Sequence, residues 1–79
     1  MSNERPVSTL DVRGLSCPLP ILRTRTWLNT QPVGAEVEVL ATDPASVIDF
    51  KHFCNITGHT LLTMTEVDGV FRYRLRKMK

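Results

Sequence analysis

Asp68-Gly69 separates two stretches rich in β-branched and aromatic residues, and a two-residue turn of this kind dictates strand direction and register together. The flanking segments, near Leu61 to Val67 and Val70 to Arg76, therefore form an antiparallel hairpin in which Val67 opposes Val70, Glu66 opposes Phe71 and Thr65 opposes Arg72. Alternation from the turn sends Leu62, Met64, Phe71, Tyr73 and Leu75 to one face. Thr63, Thr65, Arg72, Arg74 and Arg76 go to the other. Upstream, Ala35 to Ala41 alternates as Glu36, Val37, Glu38, Val39, a strand with one wet face, and Thr9 to Arg13 gives another strand that Gly14 ends.

Two helical patterns lie between these strands. The first runs from Pro18 to about Asn29, with Ile21, Leu22 and Leu28 as its apolar stripe and Trp27 only half buried, and it stops before Gln31-Pro32-Val33-Gly34. The second has Asp43 as N-cap and Pro44 as first residue, continues to about Thr57 and is closed by Gly58. Val47, Phe50 and Cys54 share its inward face. A sheet that is apolar on one side only needs both helices on that side. The expected fold is α+β: a two-layer βαβαββ sandwich, a mixed four-stranded sheet with two helices on one face, its first crossover parallel and right-handed.

Cys17 falls where strand gives way to helix, in the run Cys17-Pro18-Leu19-Pro20. Proline suits a first helical turn, because the leading N–H groups there have no intrahelical partner. Pro18 then reads as the first helical residue and Cys17 as the N-cap. The positive end of the helix dipole favours an anion, so the expectation is a thiolate of lowered pKa. Pro20, which has no N–H, leaves Leu19 as the donor for a cap, and the paired prolines hold the sulfur outward.

With 79 residues there is room for one core and no second domain, so residues 8–79 read as a single domain behind a polar tail, residues 1–7. No apolar run approaches a membrane span and no signal-peptide pattern opens the chain. Cys17 and Cys54 are too few for a disulfide framework or a four-ligand zinc site; a reducing cytoplasm is the expected setting. Net charge is only +2, yet Arg72, Arg74, Arg76, Lys77 and Lys79 cluster at the end of the sequence.

The run Leu10-Asp11-Val12-Arg13-Gly14-Leu15 leading to Cys17-Pro18-Leu19-Pro20, followed by Asp43-Pro44, Asp49, Phe53, Gly58-His59 and the hairpin, resembles the TusA/SirA-like family of small sulfur carriers. The resemblance spans nearly everything after the tail, and Cys-Pro-x-Pro after Gly-Leu is its specific part. It implies a fold like the C-terminal domain of translation initiation factor three, in agreement with the order derived from periodicity. It also implies that Cys17 accepts sulfane sulfur as a persulfide from a cysteine desulfurase or rhodanese-like donor and relays it to an acceptor protein. Gly14, Pro18, Leu19 and Pro20 would position that sulfur. Family members serve tRNA 2-thiolation, molybdenum cofactor sulfuration and sulfur oxidation. Many carry a proline where this chain has Lys51.

No metal or organic cofactor is implied, since sulfur would travel covalently on Cys17. His52 and His59 lack a converging ligand set and read as structural or solvated, with a cationic His59 ring suiting a helix C-terminus. Arg13, Arg23 and Arg25, near Cys17 in sequence, are candidates for favouring a thiolate or docking a partner. Arg72, Arg74 and Arg76 form a second candidate docking stripe beside the plainer reading of a wet strand face. A nucleic-acid module using that stripe is the main rival, but stacking needs aromatics on the same face, and Phe71 and Tyr73 alternate inward. A dithiol redox protein would need a resolving partner for Cys17, and Cys54 faces the core. Neither a general base nor a pocket is signalled, which favours a carrier over an independent catalyst.

Overall fold

The computed structural model describes residues 7–79; residues 1–6 of the expected tail lie outside the described residues. The elements run β1 (Ser8–Asp11), α1 (Leu19–Asn29), β2 (Glu36–Ala41), α2 (Ser46–Thr57), β3 (Thr60–Val67) and β4 (Val70–Arg76). They form a four-stranded sheet in the order β1-β2-β4-β3, with β1 parallel to β2 and the other pairs antiparallel. This is the expected βαβαββ arrangement.

The hairpin is as its turn dictates. Asp68 and Gly69 have φ of 51° and 79°, both in the left-handed region that a type I′ turn requires, and Val67 pairs with Val70, Glu66 with Phe71 and Thr65 with Arg72. The alternation then breaks, because a bulge between Leu61 and Thr63 sets Leu61, rather than Leu62, opposite Leu75. Leu61 accordingly packs against the core, which corrects the assignment of Leu62 to that face.

Val37, Val39 and Ala41 of β2 with Tyr73 and Leu75 of β4 form the sheet's buried side, and Leu28, Phe50, Phe53 and Cys54 cover it. Phe50 stacks on Tyr73 with ring centroids 4.3 Å apart, and the Tyr73 hydroxyl shares a 2.7 Å hydrogen bond with the equally buried Ser46. A phenol is thereby buried without an orphaned oxygen. Helix α1 differs from expectation: Pro20, Thr24 and Leu28 are its buried residues, Ile21 and Trp27 are half-buried, and Leu22 faces out. Thr24 tolerates burial because its hydroxyl donates to the Pro20 carbonyl at 2.8 Å.

On the open face of the sheet, Arg76 donates twice to Glu36 (2.8 and 3.2 Å), Arg74 lies 3.4 Å from Glu36, and Arg72 lies 3.8 Å from Glu38. The antiparallel register of β2 on β4 sets Glu36 opposite Arg76 and Glu38 opposite Arg74. The arginine stripe is thus interleaved with carboxylates. The cationic form expected for His59 is disfavoured. Its Nδ1 accepts the Met78 N–H at 3.1 Å, and burial, then Lys77 and Lys79, push its pKa down.

Candidate functional site

Because β1 and β2 are parallel, the loops leaving their C-terminal ends emerge side by side at one edge of the sheet, where α/β proteins commonly place their ligands. Three hydrogen bonds join them: Val12 N–H to the Leu40 carbonyl (2.8 Å), Gly14 N–H to Thr42 Oγ1 (2.9 Å) and Cys17 N–H to Asp43 Oδ2 (2.7 Å). Gly14 makes the turn at φ 80°, with nothing within 4 Å of where a Cβ would stand, so backbone conformation rather than crowding calls for glycine.

Cys17 is exposed but is not the N-cap. Helix α1 begins at Leu19, its capping position is Pro18 (φ −97°, ψ 14°), and no side chain caps it. The Leu19 N–H, the donor left for a cap, goes instead to the Ser16 carbonyl at 2.9 Å, closing a turn that displaces the sulfur from the helix end. Asp43 likewise is not the N-cap of α2, which is Ala45. Asp43 Oδ1 accepts the Ala45 N–H at 3.0 Å while Oδ2 holds Cys17, and the two backbone donors lower its pKa, Cys17 first. One carboxylate therefore fixes both loops.

Cys17 opens onto a groove of about 330 Å³ between α1 and α2. Pro18, Ile21, Leu22 and Arg25 line one wall; Asp49, His52, Phe53, Ile56 and Thr57 line the other. The lining is mostly apolar, and Leu22 and Ile56 remain 47% and 67% exposed. This groove has no signature in the sequence, because two helices distant in the chain must pack before it exists.

The expected thiolate is not favoured here. A hydrogen bond to the Asp49 carboxylate, then burial, then the charges of Asp49 and Asp43 push the Cys17 pKa up. A carboxylate accepting from S–H stabilises the protonated form, and a second negative charge opposes ionisation. Cys54, buried on the inward face of α2, is pushed up to about 11 by burial alone.

Of the candidate residues, the structure brings Cys17, Pro18 and Arg25 together at the groove. Leu19 is exposed beside it and Pro20 is buried on the inward side of α1. Arg13 folds back on Asp11 (2.8 and 2.9 Å), holding that carboxyl at about 2, and it does not line the groove. Arg23 does not line it either. Arg72, Arg74 and Arg76 lie on the open sheet face in the ion pairs described above. The roles of Asp43 and Asp49 were missed. The parallel β1–β2 pairing, which sets Asp43 beside the Cys17 loop, was the available signal for the first. Among the described residues no group of acidic, histidine and cysteine side chains could hold a metal ion, and no helix is long and apolar enough to cross a membrane.

Comparison with known proteins agrees with this geometry. Residues 8–77 match the family model described as sulfurtransferase TusA. A candidate sulfur carrier protein of Neisseria meningitidis serogroup A is 54% identical over 63 residues, covering 80% of this chain and 85% of its own. The sulfur carrier protein TusA of Allochromatium vinosum is 46% identical over 68 residues, covering 86% and 90%. In fold, the crystal structure of a SirA-like protein from Desulfitobacterium hafniense superposes with a TM-score of 0.80 at 24% identity, over 92% of this chain and all of that one. With its whole sheet and both loops of the site inside the matched region, the chain belongs to the TusA family of sulfur carriers.

Proposed function

We propose that Cys17 is the residue that carries sulfur, accepting it as a persulfide from a cysteine desulfurase or rhodanese-like donor and relaying it to an acceptor protein. The observation that carries this reading is that Cys17 is exposed at the mouth of a groove while Cys54 is buried. In the transfer, the Cys17 sulfur attacks the outer sulfur of the donor persulfide. The donor S–S bond breaks, its electron pair stays on the inner sulfur as the donor's thiolate, and the proton lost from Cys17 goes to that thiolate. One persulfide and one thiol exchange identities without net oxidation. No metal or organic cofactor enters this step.

Partner proteins fit the same place. An apolar groove with exposed Leu22 and Ile56 at its lip offers area for a docking side chain, and Arg25 and His52 give it a polar edge. The arginine stripe on the sheet is a weaker docking candidate, because Glu36 and Glu38 offset much of its charge. The same offset weakens the nucleic-acid reading. Downstream, tRNA 2-thiolation, molybdenum cofactor sulfuration and sulfur oxidation remain the candidate pathways through the family likeness. Intact-mass spectrometry after incubation with a cysteine desulfurase and cysteine tests the assignment: a gain of about 32 Da on Cys17, the mass of one sulfur, is expected. Sulfur on Cys54, or none, overturns it.

A further inference from the structure

The titratable groups around Cys17 come from three elements: Arg25 of α1 and Asp49 and His52 of α2 line the same groove, and Asp43 of the loop before α2 holds the Cys17 N–H. Asp43 is committed to two backbone N–H groups. Asp49 differs. It stands in the first turn of α2, half-buried, lines the groove beside the thiol, and forms no ion pair among the described residues. A partly desolvated carboxylate with no ion-pair partner, set in the same groove as a thiol, repels an anion on that sulfur.

We propose that Asp49 is a positioning residue for sulfur transfer: its carboxylate, set in the groove onto which Cys17 opens, opposes ionisation of the unloaded Cys17 sulfur and so keeps the empty carrier unreactive toward small electrophiles. The raised Cys17 pKa, with Asp49 as its leading cause, has the sign this requires. The benefit is selectivity. An exposed thiolate is consumed by oxidation and disulfide exchange, whereas a thiol waits for a partner whose docking changes the charge around it. The inference deepens the persulfide reading and rests on it for its purpose.

The experiment follows carboxamidomethylation of unloaded Cys17 by iodoacetamide across pH 6 to 10, with peptide mapping to separate Cys17 from Cys54. Asp49→Asn is expected to move the profile to lower pH. At pH 7 the rate should rise about threefold, the gain in thiolate being partly offset by its lower nucleophilicity. Asp49→Glu is expected to restore the native profile, which a merely structural defect would not allow. Raising NaCl from low to molar concentration should speed the native protein more than Asp49→Asn, because salt screens the repulsion. Superimposable profiles for native and Asp49→Asn proteins overturn the proposal, as does an Asp49→Glu profile that follows Asn. If Asp49→Asn does not fold, a native rate that fails to rise with salt overturns it as well. Alkylation uses no sulfur donor, so its outcome is distinguishable from failure of the mass-shift test for the carrier.

Discussion

Cys17 and Cys54 place the same side chain at the two extremes of this fold. Cys54 lies on the inward face of α2, 8% exposed, and its thiol is pushed up to about 11 because burial penalises the anion. Cys17 stands exposed where two parallel strands end, and its thiol is pushed up chiefly by a neighbouring carboxylate. Both thiols have raised pKa values, but only one of the two causes can be lifted with the chain still folded. A low dielectric persists until the core opens; a facing charge yields to salt, to a partner's cation or to one substitution.

The sharpest break of this comparison is Cys17→Ala, which is expected to abolish the persulfide mass gain completely while Cys54→Ala leaves it intact. Loading that survives Cys17→Ala would mean that the core thiol is reachable. Phe50→Ala comes next. It removes the ring stacked on Tyr73 at the centre of the core and should cost about 3–5 kcal/mol in denaturant unfolding. In that variant Cys54 should become alkylatable at rates that track global opening, with Cys17 little changed.

A smaller effect is read in alkali. Below about pH 9 Cys54 is protonated in folded and unfolded chains alike; above it the unfolded thiol ionises while the folded one keeps its proton to about 11. The raised folded value therefore means stability present at lower pH and lost across that window, by roughly 2 kcal/mol. Burial raises the Tyr73 pKa too, so the measurement is the difference between native and Cys54→Ala unfolding free energies from pH 8 to 11. Parallel curves would contradict the burial account. Smallest is Glu36→Gln, which unties Arg74 and Arg76 on the open face; exposed pairs contribute little, so the melting temperature should move by no more than about 2 °C. A larger fall would show that the stripe is held as a network.

How far the sequence reaches depends on how local each rule is. The hairpin was legible because Asp68-Gly69 decides direction and register within two residues. The close of α2 was legible for a similar reason, Gly58 standing at φ 81° with its N–H on the Cys54 carbonyl. Leu62 was misread because a bulge breaks a period of two without leaving a Gly or Pro as a sign. The start of α1 was misread because a side chain and a backbone carbonyl compete for the Leu19 N–H, and Ser16 wins. The identity of the exposed cysteine could be read from its motif. The upward direction of its pKa could not, because Asp49 comes beside it only across a helix–helix groove.

The bond from Cys17 N–H to Asp43 Oδ2, at 2.7 Å, together with the two between Gly14 and Thr42 and between Val12 and Leu40, moors the sulfur-bearing loop to its neighbour. Three such bonds oppose a swing of that loop. If Cys17 carries sulfur as proposed, a second sulfur extends its reach by about one S–S bond, some 2 Å. The distance between a donor's cysteine and an acceptor's must then be covered by tumbling of the whole small molecule, or by supple segments on the partners. Delivery on that reading is the travel of the whole small molecule, and its pace is set by how often and how squarely it is received.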